Sequence, residues 1–210
     1  MTAMPEHRAL SSGRRWALGG TAGNELLTIA TASVLTLLLA AEGITLLDLG
    51  ALRTPHMVLG LVLIPPLAVK LASTGYRMVR YYTGAPAYRE KGPPLLALRL
   101  LAPVLVAATA GIFASGVAML LLGHTSDVLM LVHKGSFIVW SGAFAIHFLS
   151  YLPRLLRSLG RGWSLGRHRA APGAELRLLL VATALGAGVA LAVVLLPLVT
   201  GWHEAQLALR

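Results

Sequence analysis

The chain has 210 residues, of which 56% are hydrophobic and 12% charged, whereas a soluble domain carries about 25% charged residues. A water-soluble fold of this size could not hide so much apolar surface. The absence of cysteine excludes a disulfide framework, thiolate zinc sites, cysteine-ligated iron–sulfur clusters and covalent haem attachment through CxxCH, so any metal chemistry rests on His, Met, Lys, Tyr or carboxylates.

Five stretches reach the roughly 20 residues that a helix needs to cross a hydrocarbon core of about 30 Å. They are 26–47, 56–76, 95–122, 128–149 and 176–199, and none alternates as a strand would. The expected fold class is therefore all-α integral membrane, with five transmembrane helices in a single membrane domain over 24–200. A tail precedes it (1–23) and a shorter one follows (201–210). Breakers fall between the stretches: Arg53-Thr54-Pro55 before the second, Gly84-Ala85-Pro86 and Gly92-Pro93-Pro94 before the third, and Pro172-Gly173 before the fifth.

The formal charge of +10 is a matter of topology. Arg8, Arg14 and Arg15 lie in the N-terminal tail; Arg77, Arg80, Arg89, Lys91 and Arg99 around the second connection; Arg154, Arg157, Arg161, Arg167, Arg169 and Arg177 around the fourth. The opposite side has Arg53, Lys134 and Arg210, and Lys70 falls inside a span. Cytoplasmic loops retain Lys and Arg, so the N-terminus is expected inside and the C-terminus outside the plasma (inner) membrane of a bacterium. Arg14-Arg15 lacks the cleavage site of a twin-arginine signal. Nothing beyond this charge indicates nucleic acid. The basic loops offer contact with anionic lipid or an acidic partner, but topology alone accounts for them.

Ionisable residues at membrane depth raise a functional hypothesis by default. His133 and His147 lie on the fourth span, fourteen residues apart, which returns to within about 40° of one helix face and climbs roughly 21 Å. This spacing suits two haems stacked across a bilayer. His56, at the start of the second span, stands level with His133, because the second and fourth spans run in the same direction. The pair could clamp one b-type haem through two imidazoles. Fourteen residues on from His56 comes Lys70, level with His147, where a symmetrical two-haem design would place another histidine. Lys70 could hold a propionate, ligate, bind a quinone, or simply snorkel. Gly60, Gly135, Ser136, Ser141 and Gly142, with Gly111, Ser115 and Gly116 on the third span, allow close approach of a macrocycle or of another helix. Trp140 lies midway between His133 and His147. His7, His124, His168 and His203 fall outside the spans. The residues support one haem better than two.

The run His133-Lys134-Gly135-Ser136-Phe137-Ile138-Val139-Trp140, closing at His147, resembles the ligand helix of the cytochrome b subunits of respiratory formate dehydrogenases and nickel-iron hydrogenases, and of related b561-type di-haem cytochromes. The resemblance covers residues 24–155. It implies a four-helix bundle with metal ligands at His56, His133 and His147; beside it, the residues themselves add Lys70, Gly60, Trp140 and Lys134 to the expected cofactor-binding set. It also implies electron transfer between quinone and a redox partner, such as an exported molybdenum oxidoreductase, by an electron-transfer subunit rather than a stand-alone enzyme. Tyr76, Arg80, Tyr81 and Tyr82 would border a quinone pocket or serve as interfacial anchors. In that family the inner haem takes a ligand from the first helix, and no histidine lies in or beside the first span here. Ser73-Thr74-Gly75-Tyr76-Arg77, Tyr81-Tyr82-Thr83-Gly84 and Lys91-Gly92-Pro93-Pro94 resemble membrane proteins of high-GC bacteria.

Two other classes stay open. In a proton- or ion-relay transport component, His56, Lys70, His133 and His147 would carry protons, and Pro65-Pro66 would kink the second span as in broken transporter helices, although no internal repeat is present. In a cofactor-free membrane anchor or assembly factor, neighbouring side chains would satisfy the histidines. Hydrolase chemistry has little support, since GxSxG and HExxH motifs are lacking.

Overall fold

A computed structural model describes residues 20–90, 92, 96–160 and 173–208. Among the described residues there is no strand. The helices are α1 (Gly20–Thr45), α2 (Leu49–Tyr82), the single turn α3 (Pro86–Arg89), α4 (Leu96–Leu122), α5 (Asp127–Gly160) and α6 (Ala174–Ala208). Four stretches are long and apolar enough to cross a membrane: Gly20–Tyr82, Leu96–Leu122, Asp127–Pro153 and Ala174–Trp202. The first has 63 residues and would run about 95 Å if straight, three bilayer cores. It doubles back instead. Polar bonds join the start of α1 to the end of α2 and the end of α1 to the start of α2: Asn24 Nδ2 donates to the Ser73 carbonyl (3.2 Å), Lys70 Nζ to the Thr28 carbonyl (3.0 Å), and Thr45 Oγ1 meets His56 Nδ1 (3.1 Å). The two helices form an antiparallel hairpin.

The reversal lies earlier than the sequence suggests. The chain turns through a 3-10 segment at Leu46–Asp48, and Asp48 leaves helical geometry (φ −148, ψ 79) while its carboxylate accepts from the Ala51 N–H at 3.0 Å. Arg53, Thr54 and Pro55 therefore belong to α2. Pro55 cannot donate to the Ala51 carbonyl and its ring presses on it. The departure falls at Leu52 (φ −105, ψ 17), and the regular helix begins after it with Pro55 in its first turn, a position proline tolerates. Other ends differ too: α2, α5 and α6 all outrun the expected spans, and 201–208 continues α6 rather than forming a tail.

Pro65 and Pro66 do not break α2, whose dihedrals stay helical through both. Each deprives a carbonyl four residues back of its donor, at Leu61 and Val62. The Val62 carbonyl is covered by α6: a Cβ added at Gly188 would collide with its oxygen. Glycine alone lets the α6 backbone lie there, with Cα hydrogens facing the oxygen.

Packing divides the bundle in two. One unit is α1, α2 and α6; the other is the α4–α5 hairpin, which turns through Gly123 (φ +72). Val117 and Leu120 of α4 join Leu61, Val62, Ala192 and Val199 in the core that links the units. Helices α2 and α5 do not pack closely on each other. Buried hydroxyls close onto their own helices, as where Thr31 Oγ1 donates to the Leu27 carbonyl at 2.9 Å, which satisfies them without water.

Candidate functional site

The end of the bundle that carries the α1–α2 and α4–α5 turns holds His56 and His133, on opposite units. Their ring centroids lie 6.4 Å apart with planes at 85°. Each ring is held through Nδ1. His56 Nδ1 is 2.8 Å from Glu42 Oε1 and 3.1 Å from Thr45 Oγ1. His133 Nδ1 is 3.0 Å from the Ile112 carbonyl and 3.1 Å from Ser115 Oγ. The hydroxyls donate elsewhere, Thr45 to the Glu42 carbonyl (2.6 Å) and Ser115 to the Gly111 carbonyl (2.5 Å), so both present lone pairs to the rings. With carboxylate, carbonyl and hydroxyl acceptors around it, each Nδ1 carries the proton and leaves the Nε2 lone pair available. Among the described residues no hydrogen bond engages either Nε2.

Local sequence explains the geometry. Glu42 and Thr45 are three residues apart on the last turn of α1 and so share a face. Gly60, one turn beyond His56, faces the carboxylate at ordinary contact distance: a Cβ there would lie 4.0 Å from Glu42 Oε1. Gly116 lets the second imidazole rest on α4, since a Cβ there would stand 3.2 Å from His133 Cε1. Gly111 likewise receives Ser136 of α5. Glu42 Oε2 is buried and has no hydrogen-bond partner among the described residues.

Reading for histidines misses Glu42. The signal was present, because Glu42 is the one carboxylate within 26–47 and a charge at that depth asks for a partner.

Toward the α3 end the arrangement differs. The His147 ring tilts against Tyr151 at 4.9 Å and has no second histidine near it among the described residues. Lys70, level with it, donates to the Thr28 carbonyl, within a cluster in which Thr28 Oγ1 meets Ser73 Oγ at 3.1 Å and Asn24 reaches the Ser73 carbonyl. Trp140, between His133 and His147, stacks on Phe144 (4.5 Å, 8°) and on Phe137 (6.5 Å, 18°), and Phe144 continues to Phe148 (5.7 Å, 24°). Spacings of three and four residues keep this ladder on the histidine face of α5. Lys134 is exposed, and a Cβ at Gly135 or Gly142 would meet nothing within 4 Å.

The proposed quinone-border residues divide. Tyr76 packs edge-on against Tyr88 of α3 (6.0 Å) and Tyr81 against Tyr82 (5.3 Å). Arg99 donates to the Tyr82 hydroxyl and lies 5.6 Å over its ring. Burial first, and then Tyr76, push the Tyr88 phenol above its ordinary value. His124 is exposed, with Nδ1 3.0 Å from the Leu122 carbonyl. His7 and His168 lie outside the described residues, as does the side chain of His203.

Among the described residues no group of three or more His, Asp or Glu side chains is placed to hold a metal ion. Comparison with protein-family models, curated proteins and solved structures finds no match to this chain.

Proposed function

We propose that the chain is a five-span membrane cytochrome that holds one b-type haem between His56 and His133 and passes electrons between the quinone pool and a redox partner. The observation that carries this reading is the histidine pair itself, two imidazoles 6.4 Å apart, each tied at Nδ1. A metal–imidazole bond is about 2.0 Å and the ring centroid lies about 1.1 Å beyond the nitrogen, so two imidazoles held on opposite faces of one iron would put their centroids about 6.2 Å apart. Two imidazoles on a tetrahedral ion would stand about 5 Å apart. Ligating histidines characteristically donate their other N–H to a carboxylate or backbone carbonyl, as Glu42 and the Ile112 carbonyl allow here. Helices α2 and α5, which carry the two histidines, are not closely packed on each other, as the insertion of a macrocycle between the rings would require. Bound there, haem supplies a one-electron carrier close to one membrane surface.

The excess of Arg and Lys at the α3 end supports a cytoplasmic N-terminus and an outward-facing histidine pair. The natural redox partner is then an exported protein, an outer molybdenum enzyme being one such class. Lys70 is engaged with the Thr28 carbonyl, and no second imidazole stands near His147 among the described residues, which favours one haem over two. The transport reading draws on the Glu42–His56 contact as a proton path, but the unbroken helix at Pro65-Pro66 removes its support from a discontinuous span. The deciding experiment is the reduced-minus-oxidised spectrum of protein purified from cells with ample haem, with haem and protein quantified on one sample. A b-type spectrum at about one haem per chain is expected, and a colourless protein would overturn the reading in favour of a relay or anchor.

A further inference from the structure

Building on the reading of His56 and His133 as axial ligands, we infer that Glu42 is the positioning residue that sets the reduction potential of this site, acting through His56 Nδ1. The two sides are unequal. His56 Nδ1 lies 2.8 Å from a carboxylate oxygen, whereas His133 Nδ1 faces neutral acceptors, a carbonyl at 3.0 Å and a hydroxyl at 3.1 Å. A carboxylate draws the Nδ1 proton toward itself and leaves electron density on the ring, so Nε2 of His56 becomes the stronger donor. Strong donation stabilises the ferric form, which carries one more positive charge than the ferrous, and so lowers the potential. Haem held there would supply one-electron chemistry, exchanging its electron with the quinone pool or the redox partner, and Glu42 would act only by holding the Nδ1 proton of His56.

The surroundings preserve this effect. The Glu42 side chain is 15% exposed and its Oε2 has no hydrogen-bond partner among the described residues, so the carboxylate acts on His56 across a medium of low dielectric. Thr45 spends its proton on the Glu42 carbonyl and competes only as a weak second acceptor for Nδ1–H. A carboxylate at this depth is costly unless a positive centre answers it, and a ferric centre behind His56 provides one.

The test is a redox titration of haem-loaded Glu42→Gln, whose amide oxygen can still accept from Nδ1. Its midpoint is expected to rise by at least about 59 mV, a tenfold shift in the ferrous-to-ferric ratio at fixed ambient potential. Ser115→Ala, on the neutral side, is expected to move the midpoint less. Thr45→Val leaves Nδ1–H to the carboxylate alone and is expected to lower it. Titration of apo-protein with hemin, the ferric form, should give Glu42→Gln an affinity about tenfold weaker than wild type, the counterpart of its raised midpoint, and Glu42→Leu a larger loss. A haem-loaded Glu42→Gln with unchanged or lowered midpoint would overturn the inference and leave the ligand assignment standing, as would a raised midpoint in Thr45→Val. A wild-type protein that takes up no hemin would overturn the underlying reading instead.

Discussion

His56 and His133 enter the site by the same chemistry from different helices: each gives Nδ1 to a fixed acceptor, and no hydrogen bond among the described residues engages Nε2. Replacing His133 by Ala is therefore predicted to abolish haem binding, and His56→Ala to abolish it or leave a five-coordinate, readily lost haem, both read from haem-to-protein ratios and spectra. Wild-type spectra in both variants would sink the assignment. Lys70→Met is predicted to retain full haem content, because the ammonium is already engaged with the Thr28 carbonyl; loss of haem in that variant would restore Lys70 as a cofactor contact. At this scale the sequence was legible where helical arithmetic sufficed, as in the fourteen-residue interval and the matched heights of His56 and His133. Glu42 was not legible as their companion, because its contact with His56 depends on where the α1–α2 hairpin turns.

Helix α2 shows what proline can and cannot tell a reader. Pro55 looks like a boundary and Pro65-Pro66 like a break; the chain reverses at Leu46–Asp48 and kinks again at Leu52, just before Pro55, whereas Pro65-Pro66 leave the helix unbroken. A proline removes one donor, and its effect then depends on what covers the orphaned carbonyl. At Val62 that cover is Gly188, which is distant in sequence, so no local pattern could disclose it. Gly188→Ala is predicted to destabilise the fold by about 1–3 kcal/mol, the cost of an extra carbon in a close-packed contact, seen as a lower melting temperature in detergent. Unchanged melting would mean that α6 does not lie on Val62 as described. Asn24→Leu, which cuts one interhelical hydrogen bond of the α1–α2 pair, is predicted to cost less, on the order of 0.6 kcal/mol. The lengths and apolar character of the helices, by contrast, follow directly from composition.

The molecule as a whole consists of two units that meet through a modest core around Val117 and Leu120. Its asymmetry of charge predicts topology: reporter fusions at the C-terminus should read as external and fusions between α3 and α4 as internal, and the reverse pattern would invert the proposed redox partner's compartment. One histidine of the pair belongs to each unit. Whatever bridges His56 and His133 is thus also a fastener between halves that otherwise touch sparingly, and occupancy becomes linked to folding. A ligand present at a thousandfold excess over its dissociation constant adds about 4 kcal/mol to the stability of the folded state. Wild-type protein should therefore unfold at a distinctly higher temperature with hemin than without it. His56→Ala should melt close to the empty wild type and gain little from hemin, so that cells short of haem would accumulate a looser protein, open to proteolysis along the seam.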